Sequence, residues 1–285
     1  MNSLNIRPFA GLGAEVLDVD LSVPLDDAGR KAFIKAWHDY QVLVVRNQKL
    51  TDPQLAAFSS NFGALEHAPV SEVLKGNEHV PGSPHVAVIS NVRVDGVSIG
   101  GLGDGEASWH TDMAYIPEPP PGCALYSLEI PSKGADTWFT DMYAAYDRLP
   151  DRLRRRIEGM EINHDASTTS AGQTRRGYKV VTDVREAPGA RHPIVLRHPK
   201  TGRRALLLGR RLHAWIVGLA VAESEALLDE LWTYAVVDDR IYTHQWRLGD
   251  LLMWDNRCVM HRRDGWDPQE RRILHRTQIN SSQVF

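Results

Sequence analysis

Short apolar runs, many of them alternating with polar residues, recur along most of this chain. Residues 14–21 alternate aliphatic and acidic side chains, as half-buried strands do, and Val42-Leu43-Val44-Val45 has the composition of a buried strand. Similar segments lie at residues 86–92, 123–130, 193–198, 204–208, 240–247, 250–255 and 271–279. The pattern predicts a chain built mainly of short β-strands.

Helical spacing of apolar residues occurs in a few places, mostly near the two ends of the chain. The predicted helices cover residues 25–39, a segment from Asp52-Pro53 to Gly63, a short segment that ends at Pro150, and residues 222–235. No repeat or linker divides the sequence, so residues 1–285 are interpreted as a single domain. The fold class predicted is mainly β with helical decoration around a jelly-roll (double-stranded β-helix) core.

Three segments lack periodicity and are predicted to be long loops: residues 66–84, 96–106 and 165–190. The middle one is rich in glycine but has no Lys-Ser/Thr ending, which argues against a phosphate-binding loop. A mobile flap beside a site and an ordinary long turn both remain compatible with it.

Composition excludes several classes of function. The formal net charge of −3 argues against nucleic-acid binding, and no stretch has the ~18 uncharged apolar residues of a membrane helix. Cys123 and Cys258 lie in apolar runs and are expected to be buried thiols rather than a disulfide. With no apolar leader at the N-terminus, a cytoplasmic protein with neither nucleic-acid nor membrane partners is expected.

Two motifs carry candidate metal chemistry. Residues 109–112 are Trp-His-Thr-Asp, and residues 254–261 end in His261. In an extended backbone His110 and Asp112 point to the same face, so both could reach one ion. Two imidazoles and one carboxylate form the facial triad that binds non-haem Fe(II) and leaves positions open. We expect His261, which follows a predicted strand, to complete this set.

Two arginines downstream suggest an anion site. Arg272 and Arg276 would share one face of an extended strand. Guanidinium groups bind planar carboxylates through paired hydrogen bonds, so two of them beside the metal would bind anions. An exposed edge strand with alternating arginines would produce the same sequence pattern.

Blocks along nearly the whole sequence resemble the taurine dioxygenase/TfdA family of Fe(II)- and 2-oxoglutarate-dependent dioxygenases. The matching blocks are Gly13-Ala14-Glu15-Val16, Gln41 to Arg46, Phe62-Gly63, Trp109-His110-Thr111-Asp112, Pro119-Pro120, Gly134-Ala135-Asp136-Thr137, His192-Pro193, His198-Pro199, Gly249-Asp250, Trp254-Asp255-Asn256-Arg257, His261 and Arg272 to Arg276. One departure is Ala135, where the family more often has glycine. The added methyl matters only if that position needs a positive φ.

The resemblance implies a role for each matching residue. His110, Asp112 and His261 correspond to the catalytic iron ligands, and Thr137 with Arg272 to the pair that binds the distal carboxylate of 2-oxoglutarate. Arg276 resembles the arginine near the proximal carboxylate and the anionic end of the substrate, and Trp254 the aromatic wall beside the co-substrate. The cofactor set implied is Fe(II), with 2-oxoglutarate and O₂ as co-substrates.

The same resemblance implies hydroxylation of a C–H bond in a small anionic substrate, with release of succinate and CO₂. Sulfonates, sulfate esters and aryloxyalkanoates are the expected classes, and some hydroxylated products would then be cleaved. Arg276, His67, Asn91, Tyr115 and His213 are the candidate substrate contacts. The relatives also imply a homo-oligomer, either a dimer or a tetramer.

Two other functions use the same residues. A divalent-metal hydrolase could activate water at the His/Asp/His site, although no His-Glu-x-x-His motif is present. A non-catalytic jelly-roll binding protein could retain the pocket without the chemistry. Dependence on O₂ and formation of succinate separate the dioxygenase from both.

Overall fold

The computed structural model describes residues 4–68, 79–80 and 82–280. Its strands, in chain order, are β1 Asn5–Pro8, β2 Ala14–Leu17, β3 Val42–Val45, β4 His79–Val80, β5 Ser83–Ser90, β6 Arg93–Val94, β7 Val97–Ser98, β8 Gly101–Leu102, β9 Ala107–His110, β10 Gly122–Glu129, β11 Thr137–Asp141, β12 Glu161–Asp165, β13 Gly189–Pro193, β14 Val195–Arg197, β15 Arg204–Leu206, β16 Trp215–Ile216, β17 Ile241–His244, β18 Leu251–Asp255, β19 Val259–Arg263 and β20 Ile273–Ile279. The α-helices are α1 Asp27–Tyr40, α2 Asp52–Ser59, α3 Met142–Arg148, α4 Asp151–Ile157 and α5 Val221–Ala235.

Two sheets form the centre of the fold. The larger sheet has the order β1-β2-β3-β18-β10-β20-β5-β4, with β8 paired to β5, and the smaller one has the order β17-β11-β19-β9. Most neighbouring strands are antiparallel and come from distant parts of the sequence, as in β10 between β18 and β20. This is the jelly-roll core that the sequence predicts, and the prediction is confirmed.

The inner faces of the two sheets pack against each other. Their shared core combines Val44, Leu252 and Leu274 of the larger sheet with Phe139 and Val259 of the smaller sheet. Trp254 of β18 belongs to the same core. It also lines the cavity described below.

Helices cover the outer surfaces. Phe33 and Trp37 of α1 pack with α2 residues on the larger sheet, because the apolar residues of α1 recur about one turn apart. Leu228 and Leu231 of α5 pack with α3 and α4 in a separate core beside the smaller sheet. The helices therefore stabilise the sandwich without entering the cavity.

The predicted strands and helices are observed, but the structure also has strands that the sequence did not predict, among them β1, β11, β12, β16 and β19, and one further helix, α4. His261 was predicted to follow a strand but lies in the middle of β19. Two of the predicted loops contain regular structure: β7 and β8 lie inside residues 96–106, and β12 and β13 overlap the two ends of residues 165–190. The loop prediction at residues 66–84 falls largely on residues 69–78 and 81, which lie outside the described residues.

The one departure from the family pattern has a structural consequence. Ala135 has φ of +59° and is completely buried, in the turn that leads into β11. Left-handed backbone costs an L-residue roughly 1–2 kcal/mol relative to glycine. Position 135 does need a positive φ, so the methyl of Ala135 destabilises this turn relative to glycine.

Both cysteines are buried free thiols, as predicted. Within the described residues, no helix has the length and apolar character required to cross a membrane.

Candidate metal centre and anion pocket

Two imidazoles meet across a pair of antiparallel strands. His110 at the end of β9 is the direct cross-strand partner of His261 in β19. Their ring centroids lie 4.2 Å apart. Side chains at directly opposed positions project to the same face of a sheet, so the register of this strand pair is what brings the two rings together.

Asp112 supplies a carboxylate to the same place from the turn that follows β9. Its Oδ1 lies 3.5 Å from His110 Nε2 and 3.8 Å from His261 Nε2. One ligand atom from each of the three residues falls within 4.8 Å of the others. The structure thus brings together the three residues that the sequence singled out.

The hydrogen bonds of His110 leave the correct nitrogen free for a metal. Its Nδ1 lies 2.7 Å from the carbonyl oxygen of Ser108, so the proton resides on Nδ1 and the Nε2 lone pair faces Asp112. Burial, together with the nearby His110, lowers the pKa of His261 to about 3, so this imidazole is neutral. Neutral imidazoles are the form that binds a cation.

The carboxyl of Asp112 is ionised despite its burial. Burial alone would raise the pKa of Asp112, but His261, His110 and Arg276 together lower it below the usual range. The second oxygen, Oδ2, lies 3.3 Å from the buried Cys123 thiol, which donates to it, and 3.8 Å from Arg276 Nη1. Asp112 Oδ1 therefore faces the two imidazoles, while Asp112 Oδ2 faces the Cys123 thiol and the Arg276 guanidinium.

Asn256 positions the main chain of Asp112. Its side-chain oxygen accepts a hydrogen bond from Asp112 N at 2.9 Å, and its Nδ2 donates to the carbonyl oxygens of Asp112 and Pro120 at 2.8 and 2.9 Å. Asn256 lies in the turn between β18 and β19, the strand that contains His261. The buried side-chain amide of Asn256 thus connects Asp112 to the part of the sequence that contains His261.

A second cluster of potential ligands, His198, Asp255 and Cys258, has its donor atoms already engaged. The Asp255 carboxylate forms a two-point ion pair with Arg257, at 2.7 and 2.6 Å. His198 Nε2 donates to the same carboxylate, and its Nδ1 accepts hydrogen bonds from two backbone N–H groups. This cluster stabilises the β18–β19 turn and leaves no imidazole lone pair for a metal.

A cavity of about 310 Å³ opens beside the His/Asp/His group. Both arginines predicted as an anion clamp line it, and Arg272 is only 2% exposed. Within the described residues the Arg272 guanidinium has no hydrogen bond or ion pair, and its Nε is buried without a partner. Since β20 lies between β10 and β5, the alternative of an exposed edge strand is wrong.

Thr137 and Trp254 also line this cavity. Thr137 Oγ1 accepts a hydrogen bond from Trp246 Nε1 at 3.0 Å, which leaves its hydroxyl proton available to a ligand. The Trp254 ring packs 4.8 Å from the His261 ring and is 1% exposed. The side chains predicted to bind and flank the co-substrate therefore share one cavity with the metal candidates.

Two of the predicted substrate contacts do not line the cavity. His67 is exposed and packs against the ring of His85 at 4.8 Å. Asn91 accepts a hydrogen bond from the backbone N–H of Arg272 and donates to the carbonyl oxygen of Glu270. Asn91 therefore positions the start of β20, and its role as a substrate contact stays a prediction.

The other two candidates also have partners outside the cavity. The Tyr115 hydroxyl accepts a hydrogen bond from Arg175 at 2.6 Å. His213 Nδ1 lies 3.1 Å from Asp165 Oδ2 and 3.2 Å from Thr168 Oγ1. Both residues support the segment around residues 165–175, whose residues Thr169, Ser170, Ala171 and Gln173 line the cavity, and their substrate contacts stay predictions.

Sequence analysis missed one cavity residue that a correct strand assignment would have revealed. Arg263 lies two positions after His261 in β19 and lines the cavity on the same face. Residues two positions apart in a strand face the same side, so a strand that includes His261 predicts that Arg263 faces the cavity as well. A strand that ends before His261 does not predict this. Burial lowers the pKa of Arg263 to about 10, so it remains cationic at neutral pH.

The chemistry of the site follows from these groups. Two imidazoles and a carboxylate can bind a divalent cation and leave coordination positions open to the cavity. The Arg272 and Arg263 guanidinium groups line the same cavity without an ion pair to a described residue. They favour an anionic ligand, because burying an unpaired charge is costly. The cavity is built for an anion that also reaches the metal position.

Comparison with known proteins agrees with this arrangement. A family model described as "Taurine catabolism dioxygenase TauD, TfdA family" matches residues 5–278. The chain is 37% identical to an (S)-phenoxypropionate/alpha-ketoglutarate-dioxygenase of Sphingobium herbicidovorans, covering 97% of this chain and 95% of that protein. It is 34% identical to an alpha-ketoglutarate-dependent 2,4-dichlorophenoxyacetate dioxygenase of Cupriavidus pinatubonensis, covering 95% and 94% of the two chains.

Among solved structures, the chain is similar to AAD-2 in complex with Mn(II) and N-oxalylglycine. The two chains share 29% sequence identity with a TM-score of 0.81, covering 99% of this chain and 98% of the other. The similarity therefore extends over the whole fold and includes both sheets.

Replacing Asn256 with alanine should weaken divalent-metal binding by about 10- to 100-fold, the range found when residues that orient metal ligands are removed. The expected cause is loss of the hydrogen bonds that fix the Asp112 backbone. Titration with Mn(II) under equilibrium conditions measures the effect. Asn61→Ala is the control, because Asn61 also donates to two carbonyl oxygens but at the end of α2. Equal affinity in both variants would show that Asn256 does not position the ligand.

Proposed function

Because this chain belongs to the TauD/TfdA family of taurine catabolism dioxygenases, we propose that it hydroxylates a C–H bond of a small organic anion at the His110/Asp112/His261 site. It is a 2-oxoglutarate-dependent dioxygenase that uses Fe(II) and O₂, and hence an oxidoreductase rather than a hydrolase. The observation that supports the proposed site best is an unpaired buried guanidinium, that of Arg272, in the same cavity as the two imidazoles and the carboxylate.

The donor set fits Fe(II). His110 and His261 offer neutral nitrogens, and Asp112 offers one charged oxygen directed between them. Imidazole and carboxylate together suit this ion, and three protein ligands leave coordination positions for other groups. The Cys123 thiol and Arg276 bind the outer carboxylate oxygen, which favours attachment of Asp112 through Oδ1 alone.

Arg272 and Thr137, which line the same cavity, fit 2-oxoglutarate. We assign its distal carboxylate to Arg272, with the Thr137 hydroxyl as a second donor, because both line the cavity and the guanidinium has no counter-charge. A carboxylate there would receive charge-assisted hydrogen bonds and relieve the cost of burying the cation. Together with O₂, the bound iron and 2-oxoglutarate supply the oxidation that converts a C–H bond to C–OH and yields succinate and CO₂.

The protein contributes orientation and exclusion of water. Apolar side chains form part of the cavity wall, namely Ile89, Leu125 and Trp254. Two loop segments also line the cavity, one within residues 102–105 and one within residues 169–173. Ser108, in β9 just after the first segment, binds the second segment, since its N–H and its hydroxyl both donate to the carbonyl oxygen of Ser170 at 2.9 Å. This contact favours a closed pocket.

The substrate class proposed is a compact organic anion bound through Arg276. Arg276 Nη1 lies 3.8 Å from Asp112 Oδ2, so an anionic group on this guanidinium would place the rest of the substrate near the metal position. The relatives named above act on phenoxypropionate and 2,4-dichlorophenoxyacetate, which are aryloxyalkanoates. A volume of about 310 Å³ is at the small end of ligand pockets, typically ~300–1,000 Å³, which supports a small substrate.

Organisation beyond the site is also part of the proposal. We assign residues 1–285 to one domain, supported by the β10–β18 and β10–β20 pairings between distant segments. A cytoplasmic location agrees with two buried free thiols, and fractionation of the source cells would test it. We also expect a homo-oligomer, a dimer or tetramer, and a monomer in sedimentation equilibrium would contradict this.

Arg272→Gln should raise the KM for 2-oxoglutarate about 30-fold or more while changing the KM for the primary substrate far less. The estimate corresponds to ~2 kcal/mol for charge-assisted hydrogen bonds to the distal carboxylate. Steady-state kinetics with each substrate varied in turn measures the two KM values. Arg271→Gln removes the same charge one residue away, from a side chain that forms an exposed ion pair with Glu129, and should change neither constant. An unchanged KM for 2-oxoglutarate in Arg272→Gln would refute the assigned clamp.

A substrate panel tests the function itself. With Fe(II), ascorbate, 2-oxoglutarate and O₂, at least one of an aryloxyalkanoate, an alkyl sulfate ester and a small sulfonate should stimulate succinate formation in proportion to substrate consumed. Omission of O₂ should stop the reaction. Conversion of any of them at the same rate without O₂ would indicate hydrolysis and overturn the proposal.

A further inference from the structure

A third guanidinium, that of Arg263, lines the cavity and has no role in the function described so far. It is 7% exposed, although nothing in the described part of the chain forms an ion pair with it within 4 Å. Its Nε is buried without a hydrogen-bond partner. Because a buried cation with an unused hydrogen-bond donor is unfavourable, we expect Arg263 to bind an anionic or hydrogen-bond-accepting ligand in this cavity.

Arg263 lies beside the residues assigned to the distal carboxylate. It is the direct cross-strand partner of Thr137 in the β11–β19 pair. Its guanidinium carbon lies 4.8 Å from the centroid of the Trp266 ring, and that of Arg272 lies 5.2 Å from the same centroid. Two guanidinium groups therefore pack on one indole next to Thr137.

The proximity of these two cations is unfavourable unless an anion joins them. Burial lowers the pKa of Arg272, and the charge of Arg263 lowers it further. Like charges at short range disfavour each other in a poorly solvated site, and a carboxylate between them would reverse the sign of the interaction. The distal carboxylate of 2-oxoglutarate has the charge and the planar shape that two guanidinium groups recognise.

Arg263 also contacts the segment that covers the cavity. Its Nη2 donates to the carbonyl oxygens of Leu102, at 3.1 Å, and Gly105. We call residues 102–105 the lid loop; all four line the cavity. Leu102, at the end of β8, pairs with Ser90 of β5. Its φ of +71° and its 54% exposed side chain mean that neither its backbone preference nor apolar burial adds to this pairing in keeping the loop in position.

We propose that Arg263 is a second ligand of the distal carboxylate of 2-oxoglutarate and couples co-substrate binding to closure of the lid loop. The inference rests on the proposed function, since it requires 2-oxoglutarate in this cavity. A carboxylate bound to one edge of the guanidinium fixes its orientation, and the other edge then holds the two loop carbonyls. By reciprocity, a loop that closes on Arg263 increases the affinity for the co-substrate to the same extent.

Asp104 is the competing partner for Arg263. It belongs to the lid loop and lines the cavity, and its charge acts on Arg263 in the direction that raises the pKa. If Asp104 were the principal counter-charge, the loop would be closed equally with and without co-substrate. The experiment therefore compares the loop in both states.

Hydrogen exchange of peptides covering residues 102–105 provides a readout independent of turnover. Full-length protein is loaded with Mn(II), which avoids oxidation, and measured with and without saturating 2-oxoglutarate. Calorimetric titration of 2-oxoglutarate is performed on the same samples. In the wild type, 2-oxoglutarate should slow exchange in the lid loop.

Arg263→Gln should lose this ligand-dependent protection and bind 2-oxoglutarate about tenfold more weakly, the loss expected for one charge-assisted hydrogen bond. Arg262→Gln is the matched control, because Arg262 is the next residue in β19 but forms an ion pair with Asp264 at 2.6 Å and does not line the cavity. It should behave as the wild type does. If Arg263→Gln does not fold by circular dichroism, Arg263→Lys replaces it. That variant retains the charge without the planar fork, and should also lose the ligand-dependent protection.

The outcomes separate this inference from the proposed function. Failure of the wild type to bind 2-oxoglutarate would refute the proposed function and this inference with it. Normal binding that is weakened by Arg272→Gln but not by the Arg263 variants would refute the inference alone. Lid-loop exchange in the wild type that is unaffected by 2-oxoglutarate would also refute it, and would identify Asp104 as the partner of Arg263.

Discussion

The register between β9 and β19 is the constraint on which the site depends. It sets His110 directly opposite His261, and the turn after β9 then brings Asp112 to both rings. A shift of one residue in this pairing would turn one imidazole to the other face of the sheet. Asn256 reinforces the register from the β18–β19 turn, since it binds the Asp112 backbone on both its N–H and its C=O. Backbone geometry therefore fixes the relative positions of His110, Asp112 and His261, which come from two distant parts of the sequence.

Charge distribution in the cavity follows from the ligands proposed for it. Arg263, Arg272 and Arg276 line one cavity in which Asp112 and Asp104 are the only acidic lining residues of the described chain. Fe(II) adds two positive charges, and 2-oxoglutarate brings two negative ones. An anionic substrate then balances the remaining cation. Burial of these groups becomes favourable only when the ligands are present, because unpaired charges in a poorly solvated pocket are costly.

Local sequence patterns were sufficient for the fold class and for the residues at the metal position, but not for the surrounding contacts. Alternation identified β18 and β20, and the blocks shared with a known family identified Thr137, Arg272 and Trp254 as cavity residues. The strand β19 was missed because Val259-Met260-His261-Arg262-Arg263 mixes buried cations with apolar residues, and alternation does not distinguish inward cations from exposed ones. The family resemblance makes Asn91 a candidate substrate contact, and His213 is a further candidate. Their hydrogen-bond partners in the structure, the Arg272 backbone and Asp165, are set by tertiary packing that a single sequence does not encode in any local pattern.

We propose that one side chain each from β9, the following turn and β19 together bind a single ferrous ion. Anaerobic equilibrium dialysis against Fe(II), with iron and protein quantified afterwards, measures this binding. The wild type should retain one tightly bound iron per chain, and Asp112→Ala should lose that iron with the fold intact by circular dichroism. Retention of one iron per chain by folded Asp112→Ala would contradict this proposal.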